Sequence, residues 1–244
     1  MTQNDLAQKT FTVLNGVELK MWYRTDTNDL DILDDCLEKN IYGFSEQATK
    51  LKKKIALDVG AHIGGATVFL ACMGYEVIAI EPVQENVDLL KMNVLANGFE
   101  TNVKIHQKAI HSSSNEQIVL ELPNIKNDLV NKFRFIGKTV NLSDWRSIIQ
   151  WSNPKETMVK TISLREAISK HSKIDIAKFD CEGAEWLIFE KQNKEVLKKI
   201  ELLKIEVHNE TETDGFANLI SNCFVKEKSS VSVQTFIKSK GIKC

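Results

Sequence analysis

The feature that most constrains the fold is a repeated order of apolar strand, turn and helix that begins at residue 55. Residues 55–59 form a short, almost wholly apolar run, a glycine-rich turn follows over 60–65, and a helix pattern follows the turn. Further apolar runs alternate with helix patterns, and we predict strands at 76–80, 103–110, 174–179 and 202–207. Continuous apolar strands that alternate with helices are typical of a parallel sheet covered on both faces, so the predicted class is α/β.

The 244 residues fit one large domain, which we divide into an N-terminal extension over 1–50 and a main domain over 51–244. In the extension we predict a β-hairpin around Asn15-Gly16 and an amphipathic helix over 28–42 with an acidic outer face. We predict that residues 112–157 run over the sheet as an excursion instead of forming a simple crossover helix. Residues 223–237 are predicted to form an antiparallel hairpin at a sheet edge.

The balance of charges argues against polyanions as the main ligand. The chain has 32 Lys and Arg residues, 33 Asp and Glu residues and a net charge of −1, whereas a nucleic-acid binder normally has a basic excess. No apolar run approaches the roughly 20 residues that span a bilayer, and the first residues carry no signal-peptide pattern. The five cysteines are scattered without a C-x-x-C pair, which indicates neither a zinc site nor a disulfide framework. We therefore expect a soluble, cytoplasmic protein.

The strongest functional signal is the segment DVGAHIGG at residues 58–65, which follows a strand and opens a helix. Gly60 permits the tight turn. Gly64 is expected to let a ligand approach the helix N-terminus, where backbone N–H groups favour a negatively charged group. The spacing is G-x-x-x-G and lacks the middle glycine of dinucleotide sites, so the turn suits a carboxylate better than a pyrophosphate. A purely structural turn is the alternative.

An acid at the end of the second strand strengthens this interpretation. Glu81 lies about 20 residues after the first glycine, where a carboxylate can accept hydrogen bonds from ribose hydroxyls. Pro82 then ends the strand. The alternative is a solvated carboxylate at a strand end.

Polar residues also follow the fourth and fifth predicted strands. Asp180 leaves the fourth strand, and Glu182 and Glu185 come shortly after it. Glu206 and His208 lie two residues apart at the end of the fifth strand. Because ligands of doubly wound sheets bind at the carboxyl ends of strands, these side chains are candidate catalytic groups. The alternatives are helix capping, favourable helix-dipole placement and a satisfied polar strand end.

Two other chemistries are weaker interpretations of the same residues. A divalent metal held by these acidic and imidazole side chains is conceivable, but the spacing does not demand one, so no metal is predicted. Cys181 beside His208 is a candidate nucleophile, which we set aside because no oxyanion turn is recognisable.

Together these segments resemble the FkbM family of S-adenosylmethionine-dependent methyltransferases over residues 28–210. The resemblance is carried by DVGAHIGG, IAIEPVQENVDLLKMNVLANG, KTISLREAI, IDIAKFDCEGAEWLIF and LLKIEVHN. It implies a class I methyltransferase fold, which is a Rossmann-like, doubly wound and mostly parallel seven-stranded sheet with an antiparallel last strand. It also implies S-adenosylmethionine as cofactor and an oxygen, sometimes a nitrogen, as methyl acceptor. His62 departs from the family pattern, in which asparagine is commoner.

This resemblance leads to two groups of site residues. Asp58 and the turn backbone are expected to hold the amino-acid end of the cofactor, Glu81 its ribose, and the backbone at Ala109 is expected to border its adenine. The full cofactor-binding group is Asp58, Gly60, Ala61, His62, Gly64, Glu81, Pro82, Ala109 and Asp180. The catalytic group is Asp180 nearest the transferring methyl, His208 as base, Glu206 as its orienting partner, and Glu182.

The acceptor is expected to be a small molecule, a sugar or a peptide, covered by a lid over residues 112–157. Two other classes of protein stay open as alternatives. The first is an NAD-type Rossmann oxidoreductase, against which the missing middle glycine counts. The second is a non-catalytic binding protein on a methyltransferase scaffold, and the residues that count against it are the intact Gly60, Gly64, Glu81 and Asp180. No oligomeric state is predicted.

Overall fold

The computed structural model describes residues 6–44, 54–122, 134–136, 155–181, 185–190, 194–206, 213–229 and 233–239. Its strands are β1 (Leu6–Thr12), β2 (Glu18–Arg24), β3 (Lys54–Val59), β4 (Tyr75–Ile80), β5 (Val103–His106), β6 (Ala109–His111), β7 (Gln117–Leu122), β8 (Arg134–Ile136), β9 (Lys155–Ser163), β10 (Ile174–Phe179), β11 (Ile200–Glu206), β12 (Phe224–Ser229) and β13 (Val233–Lys238). Its α-helices are α1 (Asp29–Leu33), α2 (Gly65–Cys72), α3 (Gln84–Ala96), α4 (Leu164–Ala167), α5 (Glu185–Glu190), α6 (Lys194–Leu197) and α7 (Thr213–Ile220).

The N-terminal segment is a hairpin followed by a short helix. β1 and β2 pair antiparallel, and between them Gly16 has a φ of +75°, a backbone region that glycine enters without strain. α1 continues into a π-helical turn over Asp34–Glu38. The predicted acidic outer face of this helix is wrong at Asp29, which is fully buried.

The main sheet has seven strands in the order β12-β13-β11-β10-β3-β4-β5. The five strands from β11 to β5 run parallel, whereas β13 runs antiparallel to both β11 and β12. This architecture confirms the predicted α/β class and the mostly parallel seven-stranded sheet with an antiparallel last strand. Because β10 and β4 flank β3, the residues that follow these three strands meet at one edge of the sheet.

Helices cover both faces of the main sheet. One apolar cluster joins α2 and α3 to the N-terminal hairpin through Val68, Leu90 and Met21. A second cluster joins the sheet to α5, α6 and α7. Ala56 belongs to the first cluster and Leu57 to the second, so successive residues of β3 point to opposite faces, as strand geometry requires.

A second sheet of four strands, in the order β6-β9-β7-β8, occupies the region that interrupts the alternation. The single strand predicted over 103–110 is wrong, because it divides into β5 in the main sheet and β6 in the second sheet. The chain turns between them, where Lys108 N–H donates to His106 O at 2.9 Å. Residues 123–133 and 137–154 of the predicted excursion lie outside the described residues.

Cys36, Cys72 and Cys181 carry free thiols, whereas Cys223 is disulfide-bonded. The scattered spacing of the cysteines did not indicate this bond. Within the stretches of chain described above, no helix combines the length and apolar character needed to cross a membrane.

Candidate active site

The glycine turn after β3 is left-handed at three positions, with φ of +73°, +51° and +98° at Gly60, His62 and Gly64. The N–H groups of Gly60 and Ala61 both donate to Ile80 O, at 3.0 and 3.1 Å, which ties the turn to the end of β4. A Cβ atom on Gly60 would lie 1.8 Å from the carbonyl oxygen of Asp180. The turn and the residue after β10 therefore approach too closely for any side chain at this position.

Gly64 has a packing role in the turn. A Cβ atom there would lie 2.5 Å from Leu90 Cδ1, so the glycine lets α3 pack against the start of α2. Its expected contact with a ligand stays a prediction. His62 occupies a backbone region that asparagine tolerates better than most residues, which explains why asparagine suits this position.

Asp58, the next-to-last residue of β3, is fully buried. Its Oδ2 accepts a hydrogen bond from Thr67 Oγ1 at 2.6 Å, and Lys178 Nζ lies 3.4 Å from its Oδ1. Oδ1 accepts no hydrogen bond from the described residues. This oxygen therefore has an ion-pair partner in Lys178 and can still accept a hydrogen bond from a ligand.

Glu81 follows β4, and its carboxylate is used by the protein itself. Oε1 accepts hydrogen bonds from Val83 N–H at 3.0 Å and Asn86 Nδ2 at 3.1 Å, and Oε2 accepts one from His62 N–H at 2.9 Å. Burial raises the pKa of Glu81, and these three hydrogen bonds oppose the rise. Because Glu81 is fully buried, the alternative of a solvated carboxylate is wrong. Pro82, which follows it, is buried too.

Behind the turn lies a buried ion pair that the sequence analysis missed. Arg24 ends β2 and Asp29 begins α1, with exposed fractions of 6% and 0%. Arg24 Nε donates to Asp29 Oδ2 at 2.8 Å, and Arg24 Nη2 donates to Oδ1 at 2.9 Å. Burial raises the pKa of Asp29, but the hydrogen bonds from Arg24 and the neighbouring positive charges together outweigh burial and leave that pKa below its ordinary value.

His62 lies between this pair and the turn. Its Nε2 is 3.5 Å from both Arg24 Nη2 and Asp29 Oδ1, and its Nδ1 has no hydrogen-bond partner among the described residues. Burial lowers the pKa of His62 to about 4, while the charge of Asp29 opposes the change and that of Arg24 adds to it. The imidazole is therefore neutral at pH 7.

A second polar cluster lies at the carboxyl ends of β10 and β11. The hydroxyl of Tyr42, from the N-terminal segment, lies 3.0 Å from Asp180 Oδ2 and 3.3 Å from Glu206 Oε2. A phenol has one proton to donate, so these two carboxylates share a single hydroxyl group. Burial, together with the two negative charges, raises the pKa of Tyr42 and keeps the hydroxyl protonated.

Lys178 joins the turn to this second cluster. Its Nζ donates to Gly60 O at 2.8 Å and lies 3.5 Å from Asp180 Oδ2. Burial lowers the pKa of Lys178, but the charges of Asp58 and Asp180 outweigh burial, so the pKa lies above its ordinary value. A permanently charged ammonium group thus stands between two of the predicted carboxylates.

Three predicted site residues do not join these clusters in the described structure. Ala109 begins β6 and packs with Ile118 and Leu120 in a separate apolar cluster. Glu182 and His208 lie outside the described residues. Among the residues that are described, no three His, Cys, Asp or Glu side chains group as a metal site requires.

Cys181 is unsuited to nucleophilic chemistry. Burial, followed by the neighbouring charge of Glu185, raises the pKa of this thiol well above its ordinary value. Its backbone N–H donates to Glu185 Oε1 at 2.8 Å, which fixes the chain between β10 and α5. A thiol that stays protonated is a weak nucleophile, in agreement with setting this chemistry aside.

Comparison with solved structures gives likenesses at low sequence identity. The FkbM methyltransferase of Methylobacillus flagellatus KT has a TM-score of 0.46 at 13% identity, over 77% of this chain and 45% of that chain. The T. thermophilus 16S rRNA methyltransferase, solved with AdoMet and guanosine, has a TM-score of 0.50 at 14% identity, over 96% and 51%. WbdD, solved with a kinase inhibitor, has a TM-score of 0.50 at 13% identity, over 87% and 42%.

The chain thus spans about half the length of these three proteins or less. At such identities the likeness shows the fold alone, and that fold is the predicted class I methyltransferase fold. No curated protein is significantly similar to the sequence. The family model described as the methyltransferase FkbM domain matches residues 58–228, which are more than half of the chain. The matched segment contains both polar clusters apart from Tyr42, Arg24 and Asp29, which precede it. The chain therefore belongs to the FkbM methyltransferase domain family.

Proposed function

We propose that the chain is an S-adenosylmethionine-dependent methyltransferase that methylates an oxygen, or a nitrogen, of a small-molecule, sugar or peptide acceptor. Membership of the FkbM family supports methyl transfer. The observation that carries the proposal is the glycine turn, where His62 Nδ1 is buried without a hydrogen-bond partner among the described residues and Asp58 Oδ1 has only the ion-pair contact with Lys178 Nζ at 3.4 Å. Such atoms are typical of a place where a ligand supplies the missing partner.

The chemistry of the turn fits the amino-acid end of S-adenosylmethionine, which carries an ammonium and a carboxylate group. Asp58 Oδ1 is an acceptor and suits the ammonium group. The first backbone N–H groups of α2 are donors without partners inside the helix, and they suit the carboxylate.

The ribose is assigned to Glu81. A carboxylate offers about four acceptor positions, and three of those on Glu81 are used by Val83, Asn86 and His62. One position is left for a ribose hydroxyl. The other residues of the proposed cofactor-binding group are Gly60, Ala61, Gly64, Pro82, Ala109 and Asp180.

When bound, S-adenosylmethionine supplies an already activated methyl group. The tasks left to the chain are to orient the acceptor, which can supply roughly 7–11 kcal/mol, and to accept its proton, which typically adds about 10²–10⁴-fold. We place Asp180 nearest to the reacting atoms, because 24% of its side chain is exposed, whereas that of Asp58 is buried. Tyr42 holds Asp180 beside Glu206 in this arrangement.

His208 is the proposed base, since it lies two residues beyond Glu206 in the chain. Glu206 would orient the imidazole or the acceptor. Glu182, two residues beyond Asp180, completes the proposed catalytic group.

We propose that residues 112–157 cover the acceptor. Support comes from the turn between β5 and β6, which leads into the second sheet from beside the cofactor site. Glu81 N–H donates to His106 O at 3.1 Å at this turn. The strands β7 and β8 belong to the proposed lid, and the division into an extension over 1–50 and a domain over 51–244 is part of the same proposal.

The near-balanced net charge of −1 supports an acceptor other than nucleic acid. Three free thiols support the cytoplasm as the proposed location, whereas the disulfide at Cys223 counts against a reducing compartment. Thiol titration of the denatured protein, purified from cells without reductant, tests this location: five reactive thiols support a reducing compartment, whereas three contradict it and agree with the disulfide at Cys223.

The function is tested by native mass spectrometry of the purified protein, followed by transfer of labelled methyl from S-adenosylmethionine to candidate acceptors. We expect the mass of S-adenosylmethionine or of its demethylated product to accompany the protein. Binding of a nicotinamide dinucleotide instead, with no affinity for either of those compounds, would remove the proposal.

A further inference from the structure

We infer that the buried pair Arg24–Asp29 positions the cofactor-binding turn, although both residues precede the matched segment 58–228. The pair acts on the turn through two neighbours, His62 and Asn86. The inference rests on the proposed function, because it assumes that the turn binds S-adenosylmethionine or its product.

Arg24 is the centre of this arrangement. Its guanidinium contacts both oxygens of Asp29, and the same Nη2 donates to Asn86 Oδ1 at 2.8 Å. A guanidinium group has a planar set of donors that can reach a carboxylate and an amide at the same time, whereas an ammonium group cannot reproduce that geometry. The buried charge is balanced by Asp29, so the pair can stay in the interior next to the turn.

The first branch runs from Arg24 to the backbone of the turn. Because Asn86 Oδ1 accepts from Arg24, its Nδ2 is directed to Glu81 Oε1 at 3.1 Å. Glu81 in turn accepts the backbone N–H of His62 through Oε2 at 2.9 Å. Arg24 therefore sets the orientation of the carboxylate that fixes the left-handed residue of the turn and that is assigned to the ribose.

The second branch runs from the pair to the ring of His62. Arg24 Nη2 and Asp29 Oδ1 both lie 3.5 Å from Nε2. Because the two hydrogens of Nη2 go to Asp29 and Asn86, Nε2–H faces Asp29 Oδ1 and Nδ1 is left as an acceptor. The other nitrogen, Nδ1, is the buried atom that finds no partner among the described residues. The pair thereby presents Nδ1 as a hydrogen-bonding atom for the bound cofactor.

The matched control is a second ion pair of the same N-terminal segment. Lys9 Nζ lies 2.6 Å from Asp34 and 3.0 Å from Glu38. These residues have no hydrogen bond or ion pair to the turn among the interactions described. Lys9→Met therefore weakens the N-terminal segment without removing a contact to the turn. It shows how much such weakening alone changes cofactor binding.

The test is calorimetric titration of S-adenosylhomocysteine into the full chain, as wild type, Arg24→Lys and Lys9→Met. We expect at least tenfold weaker binding for Arg24→Lys and wild-type binding for Lys9→Met. In ¹⁵N NMR of histidine-labelled protein, the ligand should move the His62 Nδ1 resonance in wild type and in Lys9→Met, and move it less in Arg24→Lys.

Each outcome separates the inference from the proposed function. Absence of binding by the wild type would overturn the proposed function itself. If the wild type binds and a folded Arg24→Lys protein gives the same affinity and the same His62 shift, the inference alone is overturned. Should Arg24→Lys not fold, Asn86→Ala carries the same test, because it removes the link between Arg24 and Glu81 and leaves the ion pair in place.

Discussion

Two acids follow the strands on either side of β3, and their surroundings are opposite. Glu81, after β4, is fully buried and accepts three hydrogen bonds from the chain. Asp180, after β10, has 24% of its side chain exposed and contacts the hydroxyl of Tyr42 and the ammonium of Lys178. The same sequence pattern, an acid after an apolar strand, thus contains one residue that is buried and holds the turn together and one that is partly exposed.

The comparison shows that the sequence pattern predicts where an acidic residue lies on the sheet. Whether that residue is buried and holds the backbone, or is partly exposed, depends on the donors around it. Two donors to Glu81, Val83 N–H and Asn86 Nδ2, lie within five residues of it, and the third is the N–H of His62 in the turn. Asp180 instead accepts from Tyr42, which comes from the N-terminal segment. Substitutions between and within the two regions can break or sharpen this contrast.

The largest effect is expected where the two regions touch, at Gly60. Gly60→Ala should lower the free energy of unfolding by more than about 4 kcal/mol, since its Cβ would lie 1.8 Å from Asp180 O. The control is Gly74→Ala, which shares a positive φ of +85° but has no atom within 4 Å of the added Cβ. It should cost only about 1–2 kcal/mol of backbone strain. Equal losses of both variants in urea denaturation would contradict the close contact between the two regions.

Glu81→Ala is expected to lower the free energy of unfolding by about 3 kcal/mol, because three buried donors lose their acceptor. It should also weaken S-adenosylhomocysteine binding in calorimetry. Glu81→Gln keeps one carbonyl oxygen and should lose less stability. The contrast between the two acids fails if Asp180→Ala destabilises the protein as much as Glu81→Ala does.

The free energy of unfolding should also fall when the pH is lowered, because His62 in the turn is buried in its neutral form. The pKa of this imidazole is lowered by burial from 6.5 to about 4. The unfolded chain therefore binds more protons between these two values, and stability falls as pH drops through that window. Between pH 7 and pH 5 the loss from this group is about 2 kcal/mol.

His62→Asn removes that titration and keeps a residue suited to the left-handed backbone. The free energy of unfolding of wild type and variant is to be measured at pH 7, 6 and 5. Curves that run parallel over this range would show that His62 is not buried in its neutral form.

The smallest effect on stability, about 1 kcal/mol or less, is expected for Asp180→Asn, because this side chain is partly exposed. Its effect on chemistry should be the largest. Turnover should fall far more than cofactor affinity, and His208→Ala should behave likewise and lose an ionisation near pH 6–7 from the kcat profile. Near-normal turnover of Asp180→Asn would reduce this residue to a cap or a positioning group.

Much of the fold could be predicted from local patterns. The glycine turn and the strands β4 and β10 depend on residues near in sequence. The division between β5 and β6 could not be predicted, because the chain changes sheet at Gln107 and Lys108 without a glycine or proline.

The partners in the candidate site could not be predicted, for a different physical reason. The contacts of Arg24 with Asn86 and of Tyr42 with Glu206 form only when the N-terminal segment packs beside the carboxyl ends of the strands. No motif marks such contacts, because the residues are far apart in the chain. Helix periodicity predicts Asp29 on the outer face of its helix. The prediction is wrong because periodicity contains no information about a buried partner such as Arg24.

The central claim is that the glycine turn binds S-adenosylmethionine or its product. The most direct test is ¹H–¹⁵N NMR of the full chain during titration with S-adenosylhomocysteine. We predict that the amide resonances of residues 60–65 and of Glu81 shift with a common affinity, while those of β12, at the far edge of the main sheet, stay in place. An absence of shifts, or shifts confined to residues away from the turn, would contradict the claim.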